Sequence, residues 1–218
     1  MKKSIKYLFA SVFINLVFVI WTIAVAVFDV KCIGAGNTPV GFASMNKWFH
    51  ELTGVHYDLY ILTDWLSLIA LGICFSFGLL GLIQWKIRKD ILKVDLSILA
   101  LGVFYVIVLF CFIFFEFCII NYRPVLIDGV IEPSYPSSTT MLVLCVMLTA
   151  LYQINERVKN KYIKSFMRTF IILYILFMFT CRLISGVHWI SDIIGGVILS
   201  VGLVLLYISS VSIINENN

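Results

Sequence analysis

Six apolar stretches recur along this sequence, most of them long enough to cross a lipid bilayer as an α-helix. One helical crossing takes about 20 apolar residues, and irregular backbone cannot face lipid because its polar groups would lack partners. Hydrophobic residues make up 61% of the 218 positions and charged residues 13%, whereas soluble domains average about 25% charged residues. The sequence therefore predicts an all-α, polytopic membrane protein with six transmembrane helices. They are expected at about residues 7–28, 59–84, 97–120, 139–154, 166–184 and 189–209.

Lysine and arginine residues are concentrated in three of the segments outside these spans. Cytoplasmic segments of membrane proteins carry an excess of positive charge. We therefore expect both termini to be cytoplasmic and the loops near 30–57, 121–138 and 182–188 to face outward, in a bacterial plasma membrane. Twelve of the 16 basic residues follow this asymmetry, namely Lys2, Lys3, Lys6, Lys86, Arg88, Lys89, Lys93, Arg157, Lys159, Lys161, Lys164 and Arg168.

Residues 41–54 are too polar to span the bilayer, yet their apolar side chains recur at helical spacing. This pattern is typical of an amphipathic helix lying in the membrane interface. We expect such a helix on the outer face, where it either caps a site and guides a lipid towards it or has no such role. The whole chain, residues 1–218, is expected to form one membrane-embedded domain. Its first apolar run is longer than the 7–15 residues typical of a secretory signal, so we expect that run to remain as a span.

Polar side chains able to bind or transfer a phosphoryl group gather at the ends of the last four spans. Arg123 follows the third span, Ser137 precedes the fourth, Arg182 ends the fifth, and His188 and Asp192 open the sixth. The predicted topology places all of these ends on the same, outward side. Charged groups within or against a membrane are costly and often functional, so we expect a binding or catalytic site there.

The types and spacing of these residues suit phosphoryl chemistry. His188 and Asp192 are four positions apart, so on one helix face the carboxylate would accept the Nδ1–H of the imidazole and leave Nε2 as nucleophile or base. Arg123 and Arg182 would grip phosphate oxygens bidentately. Ser137 would open a helix whose first N–H groups attract an anion. Taken singly, each feature has a structural alternative: an anchoring arginine, a polar contact or a helix cap.

The chain resembles the type 2 phosphatidic acid phosphatase superfamily in these same residues. The third signature of that superfamily reads S-R-x5-H-x3-D, and this sequence has Arg182, His188 and Asp192 at the matching spacing, with Cys181 in place of the serine. The resemblance implies that His188 attacks phosphorus and forms a phosphohistidine, which Asp192 orients and stabilises. It also implies chemistry without a metal or other cofactor, so none is expected.

The first two signatures are present in altered form, so the signature-bearing region runs from about 116 to 192. The first, K-x6-R-P, is similar to Glu116 followed by Arg123 and a proline, and the second, P-S-G-H, is similar to Pro-Ser-Ser-Thr at 136–139. The resemblance implies that Arg123, Ser137 and Arg182 hold the phosphoryl oxygens.

Three substituted positions in these signatures affect the expected chemistry. Glu116 replaces a lysine, and we expect its carboxylate either to pair with Arg123 or Arg182 or to stay protonated through burial. Ser138 and Thr139 replace the Gly-His pair of the second signature. A threonine hydroxyl cannot act as a general acid near neutral pH, and losing such an acid typically costs about 10²–10⁴-fold in rate.

The sequence thus favours a membrane lipid phosphatase that acts at the outer face through a phosphohistidine. Without a general acid, a phosphate leaving group is easier to expel than a lipid alkoxide, which favours a pyrophosphate such as undecaprenyl pyrophosphate over phosphatidic acid. Two alternatives stay open: a catalytically impaired relative that binds lipid phosphates or acts as a scaffold, and a lipid phosphotransferase. Lipid phosphate and membrane lipids are the expected partners and nucleic acid is not, while the sequence does not indicate an oligomeric state.

Overall fold

The computed structural model describes residues 2–217 and is built almost entirely from helices. Six of its seven α-helices are long and apolar enough to cross a membrane, and the other, α2, is short. The predicted all-α fold with six spans is therefore confirmed. The helices are α1 (Lys3–Val27), α2 (Ala43–Thr53), α3 (Tyr57–Arg88), α4 (Leu96–Phe117), α5 (Ser138–Arg157), α6 (Lys161–Ile184) and α7 (Ile190–Asn217).

Several helices extend beyond the apolar runs that predicted them. Helix α3 continues through the basic residues to Arg88, and α7 continues past its last apolar turn. Helix α6 begins at Lys161, where the side-chain oxygen of Asn160 accepts hydrogen bonds from the N–H groups of Tyr162 and Ile163. Hydropathy marks only the part of a helix that lies in hydrocarbon, whereas capping decides where the helix begins and ends.

Helix α5 is the most buried of the spans and also the least apolar. Its most apolar window has a mean hydropathy of 1.4, against 3.0 for α4, and 56% of that window is buried. Neighbouring helices α3, α6 and α7 pack around it. Because protein rather than lipid surrounds α5, its sequence need not be as apolar as that of a lipid-facing helix, which explains its weak signal in the sequence.

Helices α1 and α7 pack closely along most of their length. The hydroxyl of Ser11 donates to the carbonyl oxygen of Gly202 at 2.9 Å, and the indole N–H of Trp21 donates to the carbonyl oxygen of Ser191 at 3.1 Å. In lipid, helices associate through close packing of small residues and through hydrogen bonds of this kind, because burying apolar surface against another helix stabilises the contact little there. The contact fixes the beginning of α7, which bears Asp192.

An ion-pair network joins three helices at the end of the molecule that bears the basic segments. Asp95 accepts hydrogen bonds from Arg157 at 2.8 Å and from Arg88 and Gln84 at 2.9 Å. Burial of Asp95 opposes its ionisation, but these hydrogen bonds prevail and lower the pKa of the carboxyl to about 2. The network ties together α3, α5 and the start of α4.

The connections at the opposite end are ordered by hydrogen bonds. The α4–α5 loop folds back on itself through a turn at Asp128 and Gly129, both with positive φ, as in the Asp-Gly turns of β-hairpins. Between α1 and α2 lies a two-residue pair of strands, β1 (Lys31–Cys32) and β2 (Pro39–Val40). Helix α2 forms where the amphipathic pattern predicted it.

Helix α2 is fastened to the beginning of α7 by one buried side chain. The amide of Asn46 donates to the hydroxyl of Ser191 at 2.9 Å, and its oxygen accepts from the N–H of Ser191 at 3.2 Å. Trp48 and Leu52 of the same helix stay exposed. The helix therefore supports the residues next to Asp192 while it presents apolar side chains outward, as an interfacial helix does.

Candidate active site

The turn between α6 and α7 carries His188 into the interior of the protein. Helix α6 ends at Ile184, and Gly186 follows with a φ of +67°, a conformation that a glycine just past a helix end adopts without strain. A Cβ at this position would lie 2.0 Å from the carbonyl oxygen of Gly54, in the α2–α3 connection. Because the backbones meet there, the turn is tight and His188 is left only 4% exposed.

The hydrogen bonds of His188 determine its tautomer. Its Nδ1 lies 3.1 Å from the carbonyl oxygen of Ser134, which can only accept, so Nδ1 carries the proton. In a neutral imidazole Nε2 is then the acceptor. An N–H of Arg123 and an N–H of Arg182 each donate to Nε2 at 3.3 Å. The unprotonated nitrogen of His188 therefore lies between two guanidinium groups.

The pKa of His188 lies well below its usual value of 6.5. Burial of the ring is the main cause, and the positive charges of Arg123 and Arg182 lower the pKa further. Both causes penalise the imidazolium form. His188 is consequently neutral at physiological pH, which is the form in which Nε2 can attack phosphorus.

Asp192 does not contact His188 directly, contrary to the sequence prediction. Helix α7 begins at Ile190, so His188 lies in the preceding turn and the two side chains do not share a helix face. The hydroxyl of Ser134 stands between them: it donates to Oδ2 of Asp192 at 2.5 Å and lies 3.1 Å from Nδ1 of His188. The amide of Asn121 donates to Oδ1 of Asp192 at 3.0 Å. The carboxylate thus acts on the histidine through Ser134.

The two arginines share one aromatic support. Their guanidinium carbons lie 5.6 Å (Arg123) and 4.7 Å (Arg182) from the centre of the Tyr60 ring. A tyrosine face attracts cations, and that attraction is stronger away from water. Tyr60 lies in the first turn of α3, so the start of that helix belongs to the site.

Each arginine also has a carboxylate partner, and neither partner is Glu116. Asp64 Oδ1 accepts from Arg182 at 2.9 Å, and Glu132 Oε2 lies 3.1 Å from Nε of Arg123 without the direction of a hydrogen bond. The predicted pairing of Glu116 with Arg123 or Arg182 is therefore wrong. The cause is that Glu116 projects from the last turn of α4 into an exposed position, where it lines the cleft beside His188.

The guanidinium groups keep unused hydrogen-bonding capacity. Nε of Arg123 and Nε of Arg182 are both buried, and neither finds a hydrogen-bond acceptor among residues 2–217. Buried donors without partners are costly and rare in folded proteins. An anion bound between these side chains would supply the missing acceptors.

The start of α5 borders the same cleft, but its first residues are arranged differently from the prediction. The N–H of Ser137 donates to the carbonyl oxygen of Asp192 at 3.1 Å, and its hydroxyl is 2.9 Å from that of Thr140. Ser137 therefore links α5 to α7, and it is Ser138, not Ser137, that lines the cleft with Arg123 and His188. Thr139 lies on the far side, lining a small cavity beside Arg182.

Five residues of the site were not singled out from the sequence. Asp64 carried a signal, since a charge inside an apolar run suggests function. The others lie in loops or at helix ends, where only the folded structure shows what they contact. These residues are Tyr60, Asp64, Asn121, Glu132 and Ser134.

Comparisons with known proteins found one family and one solved structure that match this chain. Residues 114–215 match the family model of the PAP2 superfamily, a range that holds every signature residue from Glu116 to Asp192. The fold matches the crystal structure of a transmembrane PAP2-type phosphatidylglycerolphosphate phosphatase from Bacillus subtilis with a TM-score of 0.51. The two chains are 19% identical, and the match covers 95% of this chain and 96% of that one. No sequence among the curated proteins matches significantly. The predicted resemblance to this superfamily is confirmed.

Proposed function

We propose that this protein, which has the fold of a PAP2-type membrane lipid phosphatase, hydrolyses a lipid pyrophosphate or phosphate through a phosphohistidine at His188. One observation carries the proposal. The unprotonated Nε2 of a buried, neutral histidine lies 3.3 Å from an N–H of each of two arginines, and both arginines retain buried donors without acceptors. A phosphoryl group placed there would meet a nucleophile and two cationic donors together.

In the first step Nε2 of His188 attacks the terminal phosphorus, and the bond from phosphorus to the leaving oxygen breaks. Arg123 and Arg182 hold the phosphoryl oxygens as charge shifts onto the leaving group. The ring becomes positive while Nδ1–H stays bonded to the carbonyl oxygen of Ser134. Asp192, through the Ser134 hydroxyl, stabilises that positive charge.

In the second step water attacks the phosphorus of the phosphohistidine and the N–P bond breaks. Inorganic phosphate leaves as H₂PO₄⁻ with the oxygen and both protons of the attacking water, and His188 returns to its neutral form. The lowered pKa of His188 suits both steps, because the ring is nucleophilic when free and a good leaving group when phosphorylated.

The leaving-group side of the site favours a pyrophosphate substrate. No histidine stands at the acid position, where Thr139 lies beside Arg182 instead. A lipid monophosphate is a far weaker base than a lipid alkoxide, so it leaves without prior protonation. Undecaprenyl pyrophosphate is thus a better substrate on this account than phosphatidic acid. Glu116 also lines the cleft, and a proton donated by its carboxyl group would weaken this preference.

The active site is proposed to face outward, with both termini in the cytoplasm. Ser4 near the start of the chain donates to Glu216 near its end at 2.7 Å, so both ends of the chain lie on one face. The basic segments adjoin that face, and the site lies at the opposite helix ends. The positive-inside rule then orients the protein.

The test compares phosphate release by purified protein from undecaprenyl pyrophosphate and from phosphatidic acid. We expect faster release from the pyrophosphate, and a loss on the order of 10³-fold or more in His188→Ala because the nucleophile is gone. His56→Ala is the matched control, since His56 is exposed and its ring contacts the carbonyl oxygen of Thr53. Equal release by His188→Ala and wild type would refute the enzyme, and faster release from phosphatidic acid would refute the substrate preference.

A further inference from the structure

An apolar groove opens beside the catalytic cleft and runs down the membrane-spanning part of the protein. Its upper lobe lies between α3, α4 and α5 and has a volume of about 600 Å³. Its walls are almost entirely apolar, apart from hydroxyl groups at the end nearest the active site. The lining residues include Leu71, Leu109, Phe112, Ser138 and Met141.

A second lobe continues the groove towards the cytoplasmic ends of α3 and α4. It also measures about 600 Å³ and is lined by Gly78, Gly81 and Gly102 together with larger apolar side chains as far as Trp85. Cys74 and Tyr105 line both lobes. The two lobes therefore lie next to each other along the gap between α3 and α4 and share part of their walls.

The upper lobe also adjoins the catalytic cleft. Phe112, Ser138 and Met141 line both the lobe and the cleft that contains Arg123 and His188. A lipid whose phosphate reaches Nε2 would thus have its chain at the mouth of the groove. This position beside the cleft distinguishes the groove from an ordinary depression filled by surrounding lipid.

The depth of the groove points to the class of chain it accepts. Phe112 and Ile98 of α4 line its two ends and are separated by about 21 Å at the 1.5 Å rise of a helix. Half of a bilayer core is only about 15 Å thick. The acyl chains of a glycerophospholipid end near the middle of the bilayer, so they would leave the lower lobe empty. A polyprenyl chain is long enough to fill both lobes.

We infer that this groove binds the single polyprenyl chain of the substrate and that its lower lobe selects for chain length. The inference rests on the proposed lipid pyrophosphatase function and names the lipid class by its tail. Glycine is a poor helix former, yet glycines of both α3 and α4 line the lower lobe. A Cβ added at Gly78 or Gly102 meets no atom within 4 Å, so the missing side chains are what keep the lobe open.

The experiment fills the lower lobe and compares a long substrate with a short one. Gly78→Leu and Gly102→Leu place side chains in the groove, far from His188, and Gly102→Ala is a milder variant. We expect KM for undecaprenyl pyrophosphate to rise about 10-fold or more in the leucine variants, as when a hydrophobic pocket loses space for part of its ligand. KM for farnesyl pyrophosphate, whose short chain ends in the upper lobe, should change less than about twofold by the same reasoning.

Gly72→Leu is the matched control, because Gly72 also lies in α3 with open space around it but does not line either lobe. It should leave both KM values unchanged. Equal effects on the long and the short substrate, or no effect on either, would overturn the inference and assign the groove to surrounding lipid.

A binding measurement separates failure of the inference from failure of the proposed function. Native mass spectrometry of the His188→Ala protein with undecaprenyl phosphate and farnesyl phosphate reports retention of each lipid without any reaction. If the His188→Ala protein retains the long lipid, and adding Gly102→Leu abolishes that retention but leaves the short lipid bound, the groove is supported even if wild type proves inactive. If the long lipid is retained both with and without Gly102→Leu, the inference about the groove is contradicted.

Discussion

At the scale of single residues, the least expected feature is Ser134. Residues 188 and 192 were predicted to meet because they are four positions apart, but that rule holds only inside a helix and α7 begins at Ile190. The hydroxyl of Ser134 fills the resulting gap, bonding Asp192 at 2.5 Å beside Nδ1 of His188. The sequence could identify His188 and both arginines as candidate site residues from their types and spacing. It could not identify Ser134, whose role depends on how the α4–α5 loop folds back.

Removing the Ser134 hydroxyl should therefore slow the reaction without weakening substrate binding. We expect Ser134→Ala to lower kcat by about 10- to 100-fold, the equivalent of one lost hydrogen bond to a charged group, and to leave KM within about twofold, since the alanine touches no phosphoryl oxygen. Ser134→Thr, which restores a hydroxyl, should recover most of kcat. A rise in KM with unchanged kcat would show that Ser134 binds substrate instead of positioning His188.

At the scale of helices, apolar runs predicted every span, whereas capping residues and neighbours decided where each one ends. The amphipathic pattern at 41–54 predicted α2, but nothing in that pattern showed that Asn46 would be buried against Ser191. This contact is made across 145 residues of sequence and depends on tertiary packing. Helix α2 therefore serves as a brace for the beginning of α7, whichever way a lipid approaches the site.

Loss of the Asn46 side chain should weaken that brace. Asn46→Ala leaves the N–H of Ser191 and the carbonyl oxygen of Gly41 without their partner, and we expect the free energy of unfolding to fall by about 1–3 kcal/mol. Thermal unfolding in detergent measures the change as a lower Tm. Glu51→Ala on the exposed face of α2 is the control and should leave Tm within about 1 °C, as surface substitutions usually do. Equal Tm values for the two variants would contradict the bracing role.

At the scale of the whole molecule, charge asymmetry and site position are linked. The basic segments and both chain ends lie at one end of the helices, and the site lies at the other. The distribution of basic residues along the sequence could predict this polarity, because cytoplasmic segments carry an excess of positive charge. The groove could not be predicted, since glycines at 78, 81 and 102 line one cavity only after α3 and α4 have packed.

Orientation can be tested with a native cysteine. Cys32 is exposed in β1, on the side of the active site, so a membrane-impermeant maleimide added to intact cells should label it. Cys118 is also exposed near the active-site end, so Lys89→Cys at the opposite end is introduced into a background with both Cys32→Ser and Cys118→Ser. It should be labelled only after the membrane is permeabilised. The reverse pattern would place the active site in the cytoplasm.

The covalent intermediate tests the central claim most directly. Protein mixed with undecaprenyl pyrophosphate carrying a radioactive terminal phosphate is quenched in alkali within milliseconds to seconds, because phosphohistidine survives base and decays in acid. We expect label on one peptide, with the phosphoryl group at His188, and none in His188→Ala. Rapid phosphate release by wild type without any labelled protein, or label on another residue, would contradict the account.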